Sequence, residues 1–264
     1  LVPDIGRISV RVAGCGIHLP PDVVGAITLE LLLPYIAIFF AVFTQSLAGF
    51  GVALIAMALL PGLVGIQVAT PLVALIGVTI EFFLLIRYRQ ALQFRAVWPL
   101  ALASILGIPL GVWALKGVEE RLFLIVLGLV IAGYALYALF QFKLPELNHP
   151  AWAYAVGLLA GIIGGAYNTS GPPLIIYGNC RRWPPAEFKS NLQGFFLINS
   201  AFVVLGHALG HNLTPQVWRY YLWSLPVLGL GILGGTSLDK FINQAVFRKI
   251  VLWLLVLMGV WLIL

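Results

Sequence analysis

Long apolar segments joined by short polar connectors occupy most of the chain. A first segment runs from Ile27 to about Leu60, and Pro61-Gly62 is expected to end it. Spans follow at about Val68–Ile86, Val97–Leu115 and Leu122–Phe140. After a polar stretch at Lys143–Pro150 come segments at about Trp152–Tyr177, Phe188–Leu209, Trp218–Leu238 and Phe247–Leu264. Two segments are interrupted inside their apolar runs. The first break is Thr44-Gln45-Ser46-Leu47-Ala48-Gly49-Phe50-Gly51; the second falls in Gly161–Tyr177, around Asn168-Thr169-Ser170-Gly171-Pro172-Pro173. Proline lacks an N–H and is tolerated in the first turn of a helix, so a helix is predicted to end near Gly165 and another to begin near Pro172. Unwound backbone at membrane depth persists only where protein or water satisfies its polar groups.

The two series repeat at an offset of about 120 residues. Gly49-Phe50-Gly51 corresponds to Thr169-Ser170-Gly171, and Gly107–Gly111 corresponds to Gly231–Gly235. Matching interruptions in two halves point to a transporter's binding site. Boundaries follow: 1–26 as an N-terminal extension, 27–142 as a first repeat and 150–264 as a second, in one integrated membrane domain.

Composition agrees. Of 264 residues, 61% are hydrophobic and 9% charged, against about 25% charged in soluble domains. The chain is therefore a polytopic membrane protein, long enough for roughly seven to nine spans of about 20 residues. Residues 1–25 show no basic region followed by an apolar core and cleavage site, so no signal peptide is read there; Asp22 is placed to cap a first helix. Cys15 and Cys180 form neither a disulfide framework nor a metal pattern. Trp98, Trp152, Trp183 and Trp218 fall near span ends, as interfacial aromatics do.

Charge tests the topology. If each broken element crosses once, Lys and Arg show no bias between the two sides. If each turns back on itself, as a re-entrant hairpin or as two full spans, Arg87, Arg89, Arg95, Lys143, Arg181, Arg182, Lys189, Lys240, Arg248 and Lys249 share one side, ten of the fifteen. The positive-inside rule favours this second topology. It makes each half odd in crossings and the halves inverted. The predicted fold is all-α, with two inverted structural repeats, each a broken or hairpin helical element followed by three transmembrane helices.

Gln45–Gly51, Gly164–Tyr177 and Phe188-Lys-Ser-Asn-Leu-Gln-Gly-Phe-Phe196 together resemble the TauE/SafE sulfite-exporter family, also called the TSUP permeases. The resemblance spans about residues 30–264. It implies export, or in some members uptake, of small sulfur-containing anions such as sulfite or organosulfonates. Asn168 and Ser170 stand where glycine or threonine is commoner, and Lys189 where arginine is common.

The candidate substrate-binding residues are Gln45, Ser46, Gly49, Phe50, Gly51, Tyr167, Asn168, Thr169, Ser170, Gly171, Lys189 and Asn191. Two readings of the neutral donors stay open: they satisfy carbonyls freed by the breaks, or they and nearby backbone amides replace an oxyanion's hydration while letting it leave again. Lys189 reads equally as an orientation charge or an anion attractor; Tyr167 and Phe50 either wall the site or pack. Gly107, Gly111, Gly157, Gly161, Gly165, Gly231 and Gly235 recur at four-residue spacing and read as helix-packing positions. Glu81 is the one acidic residue well inside a span and a candidate for proton coupling. His207 and His211 are placed at the interface.

No metalloprotease, hydrolase or Walker sequence is present, so no catalytic residue, metal, cofactor or ATP drive is expected. The reading is a plasma-membrane secondary permease for sulfite or an organosulfonate, with the lipid bilayer, the anion and a coupling proton or ion as partners and no nucleic acid. A channel-like pore, and an integral-membrane enzyme or partner subunit of sulfur metabolism, stay open as alternatives.

Overall fold

The structure, a computed structural model, describes residues 9–12, 15–18, 21–117, 119–140, 145–238, 241 and 244–264. Two short strands, β1 (Ser9–Val12) and β2 (Cys15–His18), pair antiparallel before the first helix. The sequence pattern did not signal this hairpin. Everything after it is helical: α1 (Pro21–Ala48), α2 (Val52–Val64), α3 (Ile66–Tyr88), a 3-10 turn (Arg89–Ala91), α4 (Phe94–Gly117), α5 (Glu120–Phe140), α6 (Ala151–Tyr167), α7 (Gly171–Cys180), α8 (Pro185–Leu209), α9 (Pro215–Leu238) and α10 (Gln244–Ile263).

Among the described residues, four helical stretches are long and apolar enough to cross a membrane: Ile66–Ala91, Phe94–Ala114, Pro185–Leu209 and Pro215–Leu238. At a rise of about 1.5 Å per residue, α2 and α7 span only about 20 and 15 Å, well short of a hydrocarbon core of about 30 Å. They are the short arms of the two broken elements.

Pro61-Gly62 does not end the first apolar run. Pro61 lies inside α2, which continues to Val64. Gly65, at φ 79°, makes the turn instead, its N–H donating to the Pro61 carbonyl at 3.0 Å. Pro34, Pro71, Pro99, Pro109 and Pro226 likewise sit within helices, which neighbouring segments make tolerable in membrane proteins.

Helices pack across the two series. α4 lies against α6 and α1 against α9; α3 meets α8, and α5 meets α10. Small residues permit the closest approaches. A Cβ added to Gly157, Gly161 or Gly165 would lie 2.3, 2.1 or 2.4 Å from the carbonyl oxygens of Leu100, Ser104 and Ile108, respectively. Gly107 and Gly111 press back on Leu158 and Ile162, while Gly235 of α9 sits against the Phe43 carbonyl of α1. Residue numbers rise together along α4 and α6, so these two helices run parallel. They run oppositely along α3 and α8, where Tyr88 meets Ser190 and Gly77 meets Ser200. They also run oppositely along α5 and α10, where Arg121 reaches Ile263 and Gly128 meets Gly259.

Trp98, Trp152 and Trp218 are exposed near helix ends, but Trp183 turns inward with its ring edge-on to Tyr177. His207 is fully buried within the protein near the end of α8, where Asn212 folds back on it. The Asn212 Nδ2 lies 3.0 Å from His207 Nδ1, and its N–H donates to the His207 carbonyl. His211 is exposed.

Candidate functional site

Both interruptions are real breaks in helix, closed by the same backbone device. α1 ends on Gly49 (φ 83°), whose N–H donates to the Gln45 carbonyl at 2.7 Å; α6 ends on Asn168 (φ 54°), whose N–H donates to the Gly164 carbonyl at 2.8 Å. Asparagine enters the left-handed region more readily than other residues with a Cβ, so it can do at 168 what glycine does at 49. Gly51 (φ 117°) and Ser170 then precede α2 and α7. These pairings place the correspondence between halves one residue from the sequence alignment: Gly49 with Asn168, and Gly51 with Ser170.

Each break is held by the other series. Gln193 of α8 donates its Nε2 to the Gly49 carbonyl at 2.6 Å. Asn168 donates its Nδ2 to the Thr70 carbonyl of α3. Asn199 of α8 accepts from Ser104 of α4 and donates to Ser170 Oγ at 3.3 Å, so it joins three helical elements at the second break.

The two breaks meet at one tight cavity of about 30 Å³, far below the roughly 300–1,000 Å³ of a drug-sized ligand pocket and room for a water-sized group. Its wall is formed by Gln45, Phe50 and Gly51 with Val52–Leu54 from the first break, Asn168–Gly171 with Ile175 from the second, and Glu81 and Phe196 from α3 and α8. Among the described residues, no Lys, Arg or His contributes to this wall. Gln45 works twice. Its Oε1 accepts from the Val52 N–H at 2.9 Å, capping α2, while its Nε2 is buried without a partner among the described residues. The amides of Ala53 and Leu54 lie in the first turn of α2, where no intrahelical acceptor exists. At the second break, Pro172 and Pro173 remove two such amides. Donors there come from Gly171 N–H and the side chains of Asn168, Thr169 and Ser170, of which Thr169 spends its hydroxyl on the Tyr167 carbonyl at 2.8 Å.

Of the residues singled out from sequence, Gln45, Phe50, Gly51, Glu81, Asn168, Thr169, Ser170 and Gly171 line the cavity; Ser46, Gly49, Tyr167, Lys189 and Asn191 do not. Ser46 turns its hydroxyl back to the Val42 carbonyl at 2.8 Å and packs on Gly235. Gly49 supplies the turn and the acceptor for Gln193. Lys189 lays its stem beside Gly49 and holds its Nζ 5.6 Å above the Tyr88 ring. Asn191 accepts from the Gln93 N–H at 2.8 Å, tying α8 to the start of α4. Tyr167 is buried behind the break.

Ala53 and Leu54 bring first-turn backbone amides, which carry no side-chain signal, and Val52 spends its amide on Gln45. Ile175 and Phe196 look like any apolar span residue. Gln193 stands in the conspicuous polar run after Lys189, and that run was the available clue to it.

Comparisons with known proteins identify the family. The family model described as sulfite exporter TauE/SafE matches residues 35–262. The chain is 26% identical over 240 residues to a probable sulfite/organosulfonate exporter TauE of Cupriavidus necator, covering 87% of this chain and 94% of that protein. It is 22% identical over 177 residues to a probable inner membrane transporter protein TsaS of Comamonas testosteroni, covering 66% of this chain and 73% of that one. No solved structure matches. With its multiple membrane-length apolar helices and a family match across both breaks, the chain belongs to the TauE/SafE sulfite exporter family of membrane transport proteins.

Proposed function

We propose that this protein is a secondary transporter of the plasma (inner) membrane that exports sulfite or a small organosulfonate. The observation that carries the reading is the meeting of two interrupted helices at one cavity whose donors are neutral. A small oxyanion needs its hydration replaced, and backbone amides at a helix start with amide and hydroxyl side chains can do that. A cationic wall would bind the anion more tightly and slow its departure; neutral donors suit turnover. The membrane potential, worth about 2.3 kcal/mol per charge per 100 mV, favours exit of an anion from a negative interior.

The two series act as inverted halves in this proposal. Equivalent helices running oppositely, α3 with α8 and α5 with α10, support an odd number of crossings in each half. That parity follows when each broken element turns back on itself. Alternating access then comes from one part rocking against the other about the shared cavity.

Radiolabelled sulfite flux in proteoliposomes tests the reading. Saturable uptake with counterflow is expected of the wild type, and Gln45→Ala and Asn168→Ala are expected to lose flux while still purifying as folded protein. Normal flux in both variants removes this site. Flux without saturation or counterflow makes the protein a pore, and covalent change of sulfite without flux makes it an enzyme.

A further inference from the structure

Glu81 is the only Asp or Glu buried among the described residues, at 5% exposure, and it forms part of the cavity wall beside both breaks. Ser200 of α8 hydrogen-bonds its carboxyl. Gly77, one turn earlier on α3, leaves room for that contact: a Cβ there would lie 3.3 Å from Ser200 Oγ and 3.5 Å from Glu81 Oε1. The second oxygen, Oε2, is buried with no hydrogen-bond partner among the described residues.

Among the described residues, no cation answers this carboxyl. α3 and the 3-10 turn carry Arg87, Tyr88 and Arg89; α8 carries Glu187, Lys189 and His207; α9 carries Arg219, Tyr220 and Tyr221; α2 carries no titratable group. α6 and α7 bring Tyr154, Tyr167, Tyr177 and Cys180. Lys189 is held over Tyr88, His207 is held by Asn212, and the Tyr221 hydroxyl is 2.7 Å from Thr79 Oγ1. A structural carboxylate in such a place would have a cation or a full set of donors; an ionisable side chain inside a membrane that has neither marks a proton or ion path.

We propose that Glu81 is the proton site of a coupled carrier: an anion enters the cavity together with a proton on Glu81, and both are released on the far side. Two negative charges in one desolvated cavity repel strongly, so occupation by the anion and protonation of the carboxylate favour each other, and reciprocally. The step is addition of one proton to the carboxylate from one side and its loss to the other, with no change of oxidation state. The proposal rests on the transport reading above and sets its coupling: a proton leaving with the anion cancels one negative charge, so export runs on the anion's own gradient and on the potential acting on any charge left over.

The test separates exchange from concentration. Purified protein in liposomes is loaded with unlabelled sulfite, and radiolabelled sulfite is followed with equal pH on both sides and then under a gradient of one pH unit. Protein-free vesicles are subtracted, because sulfite titrates near neutrality itself. Wild type is expected to exchange at equal pH and to concentrate sulfite up to about tenfold under the gradient, the limit for one proton. Glu81→Gln is expected to lose the gradient response in whatever exchange it retains. Undiminished concentration by Glu81→Gln, or wild-type exchange indifferent to the gradient, overturns the proposal while leaving transport intact. Absence of wild-type exchange defeats the transport reading and this proposal with it. If Glu81→Gln cannot exchange at all, Gly77→Ala decides. Crowding the Ser200 contact shifts the pH midpoint of exchange if Glu81 carries the proton, and an unmoved midpoint sinks the idea.

Discussion

The first and second breaks share a closing device, a left-handed residue ending the incoming helix, and each is pinned by the opposite series, Gln193 on one side and Thr70 on the other. They differ in where their polar groups come from. At the first break the donors are the backbone amides at the start of α2 and the Nε2 of Gln45. At the second, a proline pair has taken amides away and side chains stand in for them. One wall of the cavity is thus set by chain conformation, and the other by residue identity. Selectivity among sulfur anions should be easier to alter at Asn168, Thr169 and Ser170 than anywhere on α2.

The sharpest way to break this comparison is to substitute at matched positions. Gly51→Val forces a β-branched side chain to φ 117°, at a cost on the order of 1–3 kcal/mol or more. A large drop in detergent unfolding temperature and lost flux are expected. Ser170→Val, at an ordinary φ of −69°, should lose stability only through the Asn199 bond; equal effects at the two sites would end the distinction.

Next comes Gln45. Gln45→Ala strands the buried Val52 N–H, costing about 1–3 kcal/mol. Gln45→Glu keeps the acceptor for that amide and replaces the donor facing the cavity by an anionic oxygen. It should transport far less at neutral pH and regain melting temperature as the pH falls and the new carboxyl takes a proton, since like charges brought together beside Glu81 cost several kcal/mol.

At the second break, Asn168→Gly gives up only the bond to Thr70, about 0.5–1.5 kcal/mol. Asn168→Ala adds a left-handed penalty of roughly 1–2 kcal/mol. The alanine variant should therefore melt below the glycine variant, and the reverse order would mean the turn is not strained by a Cβ. The smallest effect is expected of Gly49→Asn, which makes the first break resemble the second. A Cβ there meets only the Lys189 stem at 3.5 Å, so stability should change by less than about 1 kcal/mol and flux should persist.

What could be read from the sequence was whatever backbone geometry writes into residue type. Left-handed turns and unwound chain demand Gly, Asn and Pro, so both breaks stood out at 44–51 and 164–173. Backbone-to-backbone helix packing demands glycine every fourth residue, so Gly157, Gly161 and Gly165 were legible as packing positions. Long-range partners write nothing local. Gln193, Asn199, Ser104 and Thr70 are polar residues in apolar helices, and what they bond to lies roughly a hundred residues away or more for most of these pairs. Pro61 misled because proline ends helices in water, where a lost hydrogen bond exposes a broken turn, yet within packed membrane helices it is accommodated.

The glycine seams between α4 and α6 and between α1 and α9 have a bearing on how the polypeptide can be divided. Each half carries helices whose flattest, least furnished sides are complementary to the other half and not to anything of its own. A cut in the connector before α6 would yield two fragments that each expose bare main chain to acyl tails, so neither should mature alone. Produced together, they should reassemble only when both are present during insertion.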